Sequence, residues 1–70
     1  MAESVYKVIE LVGTSTESWE KATTNAIAKA SETLRDLRIA EVTAMDVHIN
    51  DGTMEFRTKL KVSFKFEGHH

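Results

Sequence analysis

The stretch Met54-Glu55-Phe56-Arg57-Thr58-Lys59-Leu60-Lys61-Val62-Ser63-Phe64-Lys65-Phe66 alternates without a break. Met54, Phe56, Thr58, Leu60, Val62, Phe64 and Phe66 fall on one parity; Glu55, Arg57, Lys59, Lys61, Ser63 and Lys65 fall on the other. Successive side chains of a strand point to opposite faces, so this is a strand with one buried face and one polar, charged face. Immediately upstream, Asn50-Asp51-Gly52 is a hairpin signal, because Asp-Gly tolerates the positive φ angles of a tight turn. The partner strand is expected over residues 39–49. There Ile39, Glu41, Thr43, Met45, Val47 and Ile49 share one parity, and Ala40, Val42, Ala44, Asp46 and His48 the other.

Upstream of the hairpin the period changes from two to between three and four. From Trp19, the residues Ala22, Thr23, Ala26, Ile27, Ala30, Leu34 and Leu37 form one helical stripe. The opposite face carries Glu20, Lys21, Thr24, Lys29, Glu32 and Arg35. Thr14 and Glu17 stand at capping-box spacing, with Ser15 as an alternative cap. The middle of the stripe is alanine, which lets the helix axis approach a sheet closely, with Trp19 and Leu34 filling the ends. A valine- and isoleucine-rich strand is expected over residues 5–12, broken by Gly13. The order is strand, helix, strand, strand, an α+β fold in one domain over residues 1–67. Gly68-His69-His70 reads as the remnant of a purification tag.

Seventy residues bury only about 60% of the surface that the unfolded chain exposes, so a domain of this size usually needs a staple. There is no cysteine, which removes disulfides and thiolate metal sites. His48 alone, with the tag set aside, is too little for a histidine-rich metal site. One helix covers only part of such a sheet. Association with further copies is the remaining route to stability.

The net charge is −2 and no basic cluster stands out, which argues against nucleic acid as a partner. No apolar run approaches about 18 residues, so no membrane span is expected, and neither is a signal peptide. A cytoplasmic location follows. No nucleophile, base and orienting group stand at a spacing that singles them out, so an enzyme is not expected.

Several residues admit a sharp and a bland reading. Trp19 is read as core rather than as a ligand platform, and His48 as a surface or interface residue rather than a metal ligand. Asp46, Asp51 and Glu55 around the turn are read as solvated, although carboxylates so placed could hold calcium. Arg57, Lys59, Lys61 and Lys65 on one strand face could line an anion-binding surface. The favoured reading pairs them with Glu10, Glu41 and Asp46 across strands or subunits.

Three stretches together resemble the dodecin family: Val5-Tyr6-Lys7-Val8-Ile9-Glu10-Leu11-Val12-Gly13-Thr14-Ser15, Ala28-Lys29-Ala30-Ser31-Glu32-Thr33-Leu34-Arg35-Asp36-Leu37-Arg38, and Val62-Ser63-Phe64-Lys65-Phe66. The resemblance runs over about residues 4–67. It implies a β-α-β-β subunit with a three-stranded antiparallel sheet wrapped around the helix, twelve copies forming a hollow particle, and FMN or riboflavin held in pairs at subunit interfaces for storage or buffering. The family's flavin-stacking tryptophan falls at Ile39, in Ile39-Ala40-Glu41-Val42, and its flavin-binding glutamine at Arg57, in Phe56-Arg57-Thr58. Both positions are therefore the expected cofactor-binding residues, and both depart from the family pattern. Ile39 lacks the aromatic face, worth about 0.5–1.5 kcal/mol per contact. Arg57 offers only donors to a ring edge that presents acceptor, donor, acceptor. The alternative is a divergent shell with weak or no flavin binding that takes another anion or a cation such as calcium.

Overall fold

The computed structural model describes residues 4–66. The proposed tag residues lie outside them. Four elements follow in order: β1 (Tyr6–Ser15), α1 (Trp19–Ser31), β2 (Leu37–Asn50) and β3 (Thr53–Lys65). The strands form one antiparallel sheet in the order β1-β3-β2, so the strand with the clearest alternation is the central one. The helix packs on one face, against β1 and β3, and barely touches β2.

The alternation of β3 translates directly into burial. Thr58, Leu60 and Val62 are buried under the helix, and Phe56 and Phe64 are half-buried beside them. Leu60 and Val62 meet Ala26, with Ile9, Leu11, Ile27 and Leu37 packed around them. Asp51 and Gly52 close the hairpin with φ of 51° and 79°, the two positive values that a primed two-residue turn requires.

The helix begins and ends later and earlier than its periodicity suggests. β1 does not stop at Gly13 but continues to Ser15, with Gly13, Thr14 and Ser15 paired to Thr58, Arg57 and Phe56. The cap is Ser18, whose hydroxyl accepts from the Lys21 amide at 2.9 Å. Ser15 instead bonds the Glu17 amide, and neither Thr14 nor Glu17 belongs to the helix. Gly13 is there for proximity: a Cβ at this position would stand 2.0 Å from the Ala22 carbonyl oxygen. The buried stripe Ala22, Ala26, Ala30 lies against this gap. At the other end the helix stops at Ser31, before Leu34 and Leu37. Asp36 adopts a positive φ of 59°, and Leu37 opens β2.

β2 does not keep one parity. Its register against β3 shifts between Leu37 and Ile39 and again between Val42 and Ala44. The second irregularity, at Thr43, exchanges the faces. Ile39 and Glu41 pair with Ser63 and Lys61 on the face away from the helix, whereas Met45, Val47 and Ile49 pair with Thr58, Phe56 and Met54 on the helix side.

At 14 and 13 residues, β2 and β3 far exceed the usual five or six and carry the molecule to 54 Å in length. Their far half outruns the helix. Met45, Ile49 and Met54 are left exposed on the helix side, Ile49 by 70%, and Tyr6, Val8, Val12 and Ile39 on the opposite face. A subunit that buries little more than three alanines, Leu60, Val62 and Thr58 cannot account for its own stability.

Candidate functional site

The sheet face opposite the helix is built from the charged parity of β3 and its register partners. Lys61, at the centre, faces Glu10 of β1 on one side and Glu41 of β2 on the other. Ser63, the next residue on this face, lies between Val8 and Ile39. Val8, Glu10, Ile39, Glu41, Lys61 and Ser63 together line an open depression of about 540 Å³. Ile39 stands in it 65% exposed, an apolar surface that the described residues leave mostly uncovered.

Arg57 occupies the same face further along β3, between Thr14 and Asp46. It donates from Nε to Asp46 Oδ1 at 2.7 Å and from Nη2 to Oδ2 at 2.9 Å, a bidentate fork. Hydrogen bonding to Arg57 holds the Asp46 carboxyl below its ordinary pKa, and the same bond raises Arg57 further still. The pairing of this charged face across strands is thus realised at Asp46–Arg57.

Trp19 anchors that pair from behind. Its indole N–H donates to the Asp46 carbonyl oxygen at 3.1 Å, and its ring meets Phe56 edge-on with centroids 5.0 Å apart. The Trp19 carbonyl in turn accepts from the Thr23 and Thr58 hydroxyls. Trp19 is more than a third exposed, so it is a clasp between helix and hairpin rather than the core filler that its stripe position suggests. Its hold on Asp46 joins residues 27 positions apart and leaves no local sequence signal.

Ile39 and Arg57 share this face but do not meet. Ile39 pairs with Ser63, six residues from Arg57 along β3, or roughly 20 Å at strand rise. A single small ligand cannot touch both within one subunit. The carboxylates near the turn are likewise parted. Asp46 is taken by Arg57, while Asp51 and Glu55 border a second depression with Thr16, His48, Asn50 and Thr53. His48 Nδ1 lies 3.6 Å from Glu55 Oε1, an ion pair only when the imidazole is protonated. Among the described residues, no three His, Cys, Asp or Glu side chains gather in one subunit as metal ligands would.

A half-covered antiparallel sheet with a ligand-sized depression on its bare face defines a small α+β binding subunit that is incomplete on its own. Residues 5–67 match the family described as Dodecin. The chain is 44% identical over 63 residues to the calcium dodecin of Mycobacterium tuberculosis, covering 89% of each. It is 44% identical over 64 residues to the dodecin of Thermus thermophilus, covering 90% of this chain and 93% of that one. The crystal structure of the Mycobacterium protein, described as calcium-chelating with a novel calcium-binding site, matches with a TM-score of 0.87 at 41% identity over 96% of this chain and 97% of that one. The dodecin structure from Streptomyces coelicolor reaches 0.91 at 38% identity, over 99% and 100%. The chain belongs to the dodecin family. Dodecins form homo-oligomers, bind small ligands and are known as binding and storage proteins rather than enzymes. No described helix is long and apolar enough to cross a membrane.

Proposed function

We propose that this chain is the subunit of a hollow cytoplasmic homododecamer that binds and buffers a small flat ligand of the flavin type where bare sheet faces of neighbouring subunits meet. The observation that carries this reading is Ile39, an exposed apolar side chain in a 540 Å³ depression on that face. Ile39 is also the position of the family's stacking tryptophan. Two stacked aromatic faces would add roughly 1–3 kcal/mol to ligand binding, about tenfold to a hundredfold, so the affinity for flavin is correspondingly lower here.

A second reading, a shell that has left flavin for another ligand, is favoured by two observations. Arg57 is engaged by Asp46 and is not free to meet a pyrimidine edge, and one relative at 44% identity is a calcium dodecin. In this reading calcium is held by carboxylates drawn from more than one subunit, since the described residues of one subunit do not gather them. Titration of ligand-stripped, refolded protein with FMN by fluorescence, and with calcium by calorimetry, separates the two. Saturable FMN quenching supports the first. Heat with calcium and none with FMN supports the second.

A further inference from the structure

We propose that Asp46 sets the charge of the ligand that this face accepts, by withdrawing Arg57 from anions and so favouring an uncharged ring compound over a phosphate-bearing one. The inference rests on the ligand reading above and names its ligand class. A guanidinium grips a phosphate through paired N–H donors. In Arg57 the Nε and Nη2 pair is spent on Asp46 at 2.7 and 2.9 Å, and the carboxylate neutralises the charge that remains. The backbone that carries Asp46 is itself held, its carbonyl accepting from the Trp19 indole, and the carboxylate is oriented by the two bonds to Arg57. Beside Ile39, Lys61 stands in register between two acidic residues, Glu10 and Glu41. Lys59, between the two sites, faces Val12 and Ala44 and supplies a residual attraction for anions. The informative quantity is therefore a ratio of affinities and not an absolute one.

The test uses the refolded, ligand-stripped full chain with Asp46→Asn, and with Asp46→Asn combined with Arg57→Met. A sizing column verifies assembly, and Asp46→Ser stands in if the asparagine form does not assemble. The probes are riboflavin against FMN by fluorescence, and inorganic pyrophosphate by calorimetry, which needs no flavin. Removing the negative charge that now neutralises Arg57 should move the FMN-to-riboflavin preference toward FMN by about fivefold. Pyrophosphate binding should strengthen alongside, and Arg57→Met should abolish both gains. A ratio unchanged within about twofold, or gains that survive Arg57→Met, overturns the proposal. If no form binds either flavin, the flavin reading has failed, and pyrophosphate alone decides. A gain in Asp46→Asn that Arg57→Met removes upholds the role of Asp46; no gain refutes it.

Discussion

Gly13→Ala adds one methyl group at the tightest point of the subunit. Its Cβ would lie 2.0 Å from the Ala22 carbonyl oxygen, 2.9 Å from the Ala22 carbonyl carbon and 3.0 Å from the Ala26 Cβ, against an ordinary contact of 3.4 Å or more. The nearest atoms are helix backbone, so no side chain can rotate aside. The helix must retreat by more than an ångström, lifting Ala26 off Leu60 and Val62. Overpacking of this kind costs about 1–3 kcal/mol or more, and replacing a strand glycine returns about 0.5–1 kcal/mol. A net loss of about 2 kcal/mol lowers the melting temperature of a domain this size by roughly 8–16 °C. Gly52→Ala is the control: nothing lies within 4 Å of its added Cβ, but φ is 79°, which costs about 1–2 kcal/mol as local strain. Thermal unfolding by circular dichroism, at one fixed protomer concentration, compares the two. A Gly13→Ala protein that melts within about 2 °C of the parent would refute the close approach of helix and sheet.

Other perturbations test the remaining claims. Ile49→Asp alters a side chain that is 70% exposed in the subunit, so it should spare the core packing yet weaken assembly, shrinking the particle on a sizing column and making the melting temperature depend on protomer concentration, whereas Leu60→Asp should unfold the chain outright. An undisturbed particle with Ile49→Asp would remove the far hairpin from the assembly surface. Ile39→Trp with Arg57→Gln should raise flavin affinity by about tenfold, read by fluorescence titration; no change would place the pocket elsewhere. Trp19→Phe keeps the ring on Phe56 but deletes the bond to Asp46, and should cost about 1 kcal/mol in urea unfolding. The folded Asp46 has a lowered pKa, so its pairing with Arg57 stabilises fully above the ordinary aspartate range and is lost as the pH falls through the lowered value. Asp46→Asn should therefore lower stability at neutral pH, flatten that acid limb and converge on the parent at low pH, read by urea unfolding across the pH range.

The alternation of β3 and the Asp51-Gly52 turn were legible because each depends on residues adjacent in the chain. The element order and the bare charged face followed from them. The helix start was not legible: Gly13 reads as a breaker, yet it sits inside β1 as the point where Ala22 approaches. That reason lies in another element, and no local pattern carries it. Leu34 and Leu37 continue the helical period, but Asp36 turns the chain with a positive φ before Leu37 can join the stripe. The phase of β2 was hidden by the irregularity at Thr43, which a strict two-residue period cannot anticipate. At the site, the charge pairing of Arg57 with Asp46 could be read from the sequence. The roughly 20 Å between Ile39 and Arg57 and the clasp of Trp19 on Asp46 could not, since both depend on register and tertiary packing.

The central claim is that this subunit is completed by its own copies, which create a ligand site on the bare sheet face. Light scattering on ligand-stripped, refolded protein, run with and without FMN on one sizing column, tests it most directly. The expected result is a particle of twelve subunit masses whose elution is independent of ligand and which carries FMN absorbance with it. A species of one or two subunit masses, stable and folded at micromolar concentration, would contradict it.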